Sequence, residues 1–221
     1  MNIAEHALEF IQEGHVVGLG TGRAATDFVR VLGRRVKAGL RIRGVPTSQA
    51  TADLAQQLGI PLTTLNEVER IDVTVDGADE VDPQLDLMKG LGGALVREKI
   101  VAAASERLVI VVGSEKLVPL LGTRGILPVE IVPFGLVFCR SQLLKLECDP
   151  SPRVTDGRLF QTDNGNHILD CKISVLTNPA ELEQAIQAVP GVVGTGLFLG
   201  MAHTVLVQDG EEVEILERGS S

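Results

Sequence analysis

Apolar positions along this 221-residue chain switch between two periods, and the switching predicts its fold. Ile3, Ala7, Phe10 and Ile11 recur at helical spacing behind Asn2, a capping residue type, so a helix is expected over 2–13. The apolar run over 15–19 reads as a strand and ends in Gly20-Thr21-Gly22. Phe28, Leu32 and Val36 return at every fourth position and predict a helix beyond that loop. The cycle repeats with a strand over 41–45, a helix over 48–58 and strands over 60–62 and 71–75. A helix over 94–104 and a strand over 108–112 complete it. Strands and helices alternating at these lengths predict a mainly parallel sheet with helices on its faces. In such sheets ligands bind beyond the carboxyl ends of the strands. The Gly-rich loops 18–22 and 90–93 are expected on that side.

The pattern changes after Gly122, where Pro128, Pro133, Pro150 and Pro152 interrupt the chain. A helix is expected over 134–146, and strands over 158–162 and 167–174 joined through Asp163-Asn164-Gly165, a strong hairpin signal. A helix over 179–189 and a strand over 196–201 follow. Strand–helix–strand with a hairpin predicts a small α+β domain of the split-βαβ kind. Runs at 204–207 and 213–216 read as a last hairpin returning to the first domain. The expected division is 1–125 plus 205–221 for the larger domain and 126–204 for the smaller. The terminal Gly219-Ser220-Ser221 reads as disordered.

Composition narrows the function. Hydrophobic residues make up 44%, enough for a full core, while aromatics are 3%, with no Trp or Tyr. That argues against surfaces that stack bases or sugar rings. The net charge of −9 disfavours nucleic acid as a partner. Cys139, Cys148 and Cys171 are odd in number and widely spaced, which fits a reducing cytoplasm better than a disulfide framework. Glu5, His6 and Glu9 exclude a signal peptide, and no apolar run reaches membrane-spanning length. His6, His15, His167 and His203 are scattered, without metal-ligand spacing, so neither a metal nor another cofactor is expected.

The chemistry concentrates between Asp72 and Glu98. Asp76-Gly77-Ala78-Asp79 ends an apolar strand, so two carboxylates emerge at the rim of the sheet. Two nearby acids can divide acid and base roles; a solvated turn or a helix cap uses the same residues, and a divalent metal is the other alternative, although no third ligand is evident nearby. Lys89-Gly90-Leu91-Gly92-Gly93 sets an ammonium beside backbone amides, a means of stabilising an oxyanion. Glu98 borders an apolar stripe with Leu95 and Ala102, and a sheltered carboxylate there suits a general base. Alone, it equally suits an exposed pairing with Arg97 or Lys99. Lys116 follows a strand and adds positive charge on the same rim. The loop at 18–22 offers glycines and a helix N-terminus to a phosphate, although it carries neither a P-loop nor a complete dinucleotide motif.

Together the segments GLGTG at 18–22, VDGADEVD at 75–82, KGLGGALVREKIVA at 89–102, LPVEIVP at 127–133, TDNGNHILD at 162–170 and AIQAVPGVVGTGLF at 185–198 resemble type A ribose-5-phosphate isomerase. The resemblance runs from about residue 4 to about 216. It implies a metal-free interconversion of ribose 5-phosphate and ribulose 5-phosphate through an enediolate. It implies a Rossmann-like domain with a smaller α+β (split-βαβ, ferredoxin-like) domain, as a homodimer or homotetramer. By position, Glu98 falls on the proton acceptor, Asp76 and Asp79 on the acids of ring opening and sugar contacts, and Lys89 on the lysine that polarises the carbonyl. Thr21, Gly22, Arg23, Ala24, Gly77, Ala78, Gly90, Leu91, Gly92 and Lys116 fall on substrate-binding positions.

Three departures bear on substrate affinity. Arg23 and Ala24 stand where the resembled loop carries two hydroxyl residues, so Arg23 is expected to supply charge-assisted phosphate contacts instead. Leu91 stands at a common glycine position and must adopt an ordinary backbone region. The first helix is short and lacks lysines. The competing readings are an isomerase of another sugar phosphate and a non-catalytic sugar-phosphate sensor. An intact acid–base set has no use in the latter.

Overall fold

The computed structural model describes residues 2–219, so Ser220 and Ser221 of the expected disordered tail lie outside the described residues. The chain forms two compact units, residues 1–78, 97–116 and 200–221, and residues 79–96 and 117–199. Residues 79–96 and 117–125, placed by the sequence pattern with the larger domain, group here with the second unit.

The first unit is built on a six-stranded sheet. Its spatial order is Glu212–Glu217, Thr204–Asp209, Ser105–Gly113, Ile71–Asp76, Val16–Leu19 and Arg43–Pro46. All neighbours are parallel except the final hairpin, 204–209 with 212–217, which joins this sheet as expected. The central strands are buried along most of their length, and 108–112 accordingly reads as a continuous apolar run. The helix Arg23–Lys37 buries Phe28, Val29, Val31 and Leu32 in one core with Val17, Val73, Val109 and Leu206. Each such side chain contributes about 1.5–3 kcal/mol.

Two elements differ from expectation. The first helix runs only over Ile3–Ala7, with a single 3-10 turn at Leu8–Phe10. Asn2 caps it by accepting the Glu5 N–H at 3.0 Å, and Glu5 returns a bond to the Asn2 N–H. Ile11 is already extended and Gly14 has φ +86°, a conformation that carries the chain away from the helix. Residues 60–62 form no strand, only a bridge between Leu62 and Gly44. Pro61 has no N–H with which to extend the ladder.

The second unit has the split-βαβ arrangement. Its antiparallel sheet has the order Val192–Thr195, Ile126–Ile131, His167–Lys172 and Asp149–Pro152, with helices Leu136–Leu144 and Pro179–Gln187 between strands along the chain. Leu127, Val129, Ile131, Leu143, Leu169 and Ile186 form its core. Three short strands, Glu80–Val81, Leu87–Met88 and Leu197–Phe198, make a further sheet, and the last is all that remains of the strand expected over 196–201.

The hairpin expected at 158–174 is replaced. Arg158–Leu159 pairs with Val154–Thr155 through Asp156 (φ +53°) and Gly157 (φ +74°), a tight two-residue turn. The 167–172 strand pairs instead with 126–131 and 149–152. Prolines hid two strands from the sequence reading. Pro150 and Pro152 lie on an edge strand, where a missing N–H is tolerated. Among the described residues no helix is long and apolar enough to cross a membrane.

Candidate active site

The carboxyl end of the large sheet carries most of the first unit's expected site residues. Gly20 follows the 16–19 strand and donates its N–H to Val75 O at 3.0 Å. Asp76, buried at the end of the neighbouring strand, accepts the N–H of Thr21 at 3.1 Å and of Gly77 at 2.8 Å through Oδ1. Only glycine fits at position 20, because a Cβ there would lie 2.3 Å from Asp76 Oδ1 and 2.6 Å from Asp76 Cα.

Gly22, with φ +101°, opens the 23–37 helix without a side-chain cap and with no acid in the first turn. The first amides of that helix therefore remain available to an anion. Arg23 occupies the first helical position and is exposed. Ala24 and Gly77 are neighbours: a Cβ on Gly77 would lie 4.0 Å from Ala24 Cβ. Ala78 is half-buried beyond them. Lys116, also half-buried, closes a 3-10 turn after the 105–113 strand.

A cluster of hydroxyls that the sequence reading missed surrounds Thr21. Thr21 Oγ1 lies 2.7 Å from Thr47 Oγ1 and 3.2 Å from Thr51 Oγ1, and donates to Ser48 Oγ at 2.8 Å. Thr47 donates to Leu19 O and Thr51 to Gly20 O, both at 3.0 Å. Each hydroxyl proton thus has an acceptor inside the cluster, and the Thr21 side chain anchors the loop. Ser48 also caps the helix Gln49–Gln57 by accepting the Thr51 N–H. The signal available in sequence was Thr47-Ser48 at a strand end, followed three residues later by Thr51.

The second unit holds Asp79 and the 89–93 turn. Asp79 donates its N–H to Met88 O at 2.8 Å, and its Oδ2 accepts the Leu91 N–H at 3.1 Å. Lys89 donates its N–H to Gly196 O at 2.8 Å, and a Cβ on Gly196 would meet Lys89 O at 2.2 Å. The turn uses φ +105° at Gly90 and +86° at Gly93, whereas Leu91 keeps an ordinary negative φ, as expected for a side chain there. Leu91 and Gly92 are exposed. Lys89 is 3% exposed, the only buried Lys or Arg among the described residues, with Nζ 5.5 Å from the Phe198 ring centroid.

The helix Leu95–Ala103 carries Glu98 in its first turn, and the chain re-enters the first unit at Arg97. Glu98 is 5% exposed. Three further acids are buried among the described residues. Glu80 accepts the N–H groups of Gly122 and Arg124, Asp82 those of Gln84 and Asp86, and Glu130 bonds Thr162, Asn164 and Asn166. Buried ionisable groups are expensive, and Asp76, Lys89 and Glu98 are the three that the sequence motifs single out for chemistry. Among the described residues no three His, Cys, Asp or Glu side chains are grouped to hold a metal ion.

Known proteins resemble this chain over most of its length. The family described as ribose 5-phosphate isomerase A (phosphoriboisomerase A) matches residues 43–212. Ribose-5-phosphate isomerase A of Gloeobacter violaceus is 52% identical, covering 96% of this chain and 93% of its own. The structure of ribose 5-phosphate isomerase A from Methanocaldococcus jannaschii superposes with a TM-score of 0.93 at 37% identity, covering 97% of this chain and 96% of that one. A D-ribose-5-phosphate isomerase solved in complex with phospho-erythronic acid gives 0.94 at 38% identity, covering 98% and 96%. The chain belongs to the ribose 5-phosphate isomerase A family.

Proposed function

We propose that this chain interconverts D-ribose 5-phosphate and D-ribulose 5-phosphate through an enediolate, without a metal. The observation that carries the proposal is the burial of Asp76, Lys89 and Glu98 in a chain of this family. Asp76 and Asp79 handle the sugar hydroxyls and the proton transfers of ring opening. The Glu98 carboxylate then takes the proton from C2 of the open-chain aldose. The electron pair moves into the C1–C2 bond and the C1 carbonyl oxygen becomes an oxyanion, which the Lys89 ammonium stabilises. Glu98 returns the proton to C1 while the O2 proton passes to O1, leaving the ketose.

Thr21, Gly22, Arg23, Ala24, Gly77, Ala78, Gly90, Leu91, Gly92 and Lys116 bind the substrate. The amides that open the 23–37 helix, together with Arg23, take the phosphate. The protein works in the cytoplasm as a homodimer or homotetramer, without nucleic acid or membrane partners. The net charge of −9 and three free, buried cysteines support this setting. Fully exposed Phe134, with Val137 and Phe138, supplies apolar surface that a second copy would cover. Arg23 favours one second reading, a wider range of aldose phosphates. A panel of aldose phosphates assayed for ketose formation with EDTA present decides. Turnover confined to ribose 5-phosphate is expected; no ketose from it, or activity abolished by EDTA, would overturn the proposal.

A further inference from the structure

Arg153 touches the 89–93 turn although no sequence motif singles it out. It directly follows the 149–152 edge strand and donates its backbone N–H to Ile168 O at 2.8 Å. Its Nη1 donates to Gly90 O at 3.0 Å and to Leu91 O at 3.1 Å. Nε and Nη2 donate to the two carboxylate oxygens of Asp170, on the adjacent strand. The guanidinium is largely buried and lies 5.8 Å from the Phe160 ring centroid. Phe160 in turn packs on the far end of the same turn, where a Cβ on Gly93 would lie 2.5 Å from its Cζ.

Peptide geometry gives these contacts a consequence. In a trans peptide the C=O and N–H point in opposite directions. Gly90 C=O shares a plane with Leu91 N–H, and Leu91 C=O shares one with Gly92 N–H. One guanidinium nitrogen holding both carbonyls therefore turns both N–H groups away from itself. The Leu91 N–H meets Asp79 Oδ2 on that opposite side. We infer that Arg153 is a positioning residue of the isomerase reaction: it clamps the peptide planes of 90–92 so that Asp79 is held and the Gly92 N–H faces the substrate oxygen. The inference rests on the isomerase reading. Lysine cannot do the same work, because one ammonium lacks the planar fork that serves Asp170 and two carbonyls at once.

The test uses the full chain with Arg153→Ala, Arg153→Lys and Asp170→Asn. Amide hydrogen exchange at 90–93, without substrate, reads the clamp independently of activity, and faster exchange is expected in R153A and R153K. Ribose 5-phosphate turnover should fall about 10²-fold in R153A, mainly in kcat, as for a displaced catalytic group. Added methylguanidinium should restore part of it, whereas sodium chloride at equal ionic strength and the lysine variant should not. A purely structural arginine would lower the melting temperature without that selective rescue. Unchanged exchange at 90–93, or unchanged kcat in a folded R153A, overturns the inference. If R153A does not fold, D170N decides by the same exchange and kcat measurements. A wild-type protein inactive on ribose 5-phosphate defeats the isomerase reading instead, and the exchange data still judge the clamp.

Discussion

Asp76 Oδ1 accepts the backbone N–H of Thr21 at 3.1 Å, which ties the carboxylate ending one strand to the Gly-rich loop ending its neighbour. Gly20 is the close approach that permits this bond. Gly20→Ala must displace either the carboxylate or the loop. A displacement near 1 Å in a catalytic group costs about 10²-fold in rate. Steady-state kinetics on ribose 5-phosphate should show that loss in kcat/KM, with a much smaller change in melting temperature. An active G20A variant would mean that Asp76 tolerates displacement and has no exacting role.

Arg23 sits where a helix presents its positive end, so in the empty protein its charge is unfavourable. The proposed phosphate contact gives it a purpose. Arg23→Ser should raise KM for ribose 5-phosphate about tenfold or more, as expected for loss of a charged hydrogen bond. The same change should slightly raise the melting temperature without substrate. Kinetics and a thermal melt on one preparation check both signs, and an unaltered KM removes Arg23 from the phosphate site.

Stability should also weaken with acid through His203. Its Nδ1 accepts the Leu108 N–H at 3.0 Å. Partial burial first, and then the guanidinium groups of Arg107 and Arg218, hold its pKa below the usual imidazole value. The unfolded chain takes up this proton near pH about 6.5 and the folded chain at lower pH. Between those values the unfolded state binds more protons, so stability present above about pH 6.5 is lost as pH falls through the folded value. His203→Asn keeps an acceptor and should remove this part of the slope. Denaturant titrations of both proteins above and below about pH 6.5 check it; an identical acid loss in H203N contradicts the assignment.

Much of the large sheet was readable because its buried parallel strands carry an apolar run, as at 108–112, or apolar residues at alternate positions, as at Ile71, Val73 and Val75. The errors have local causes. Pro61 stopped a strand, and Gly14 helped end the first helix early. In the smaller unit, prolines concealed the 149–152 edge strand, and Asp156-Gly157 made the hairpin that Asn164-Gly165 seemed to promise. The site divides in the same way. Asp76, Lys89 and Glu98 stand in motifs, so the sequence picks them out as candidates. Arg153 contacts Gly90 and Leu91 from 63 and 62 residues away, and Thr47 and Ser48 reach Thr21 from a different loop. Such partners are set by the tertiary fold and leave no local pattern.

The central claim is that Glu98 carries the proton. The most direct measurement is ketose formation from ribose 5-phosphate by wild type and Glu98→Gln, with EDTA present, alongside their melting temperatures and substrate affinities. The account predicts a folded E98Q that binds substrate as wild type does but turns over about 10²- to 10⁴-fold more slowly. Near-wild-type turnover by E98Q would contradict it.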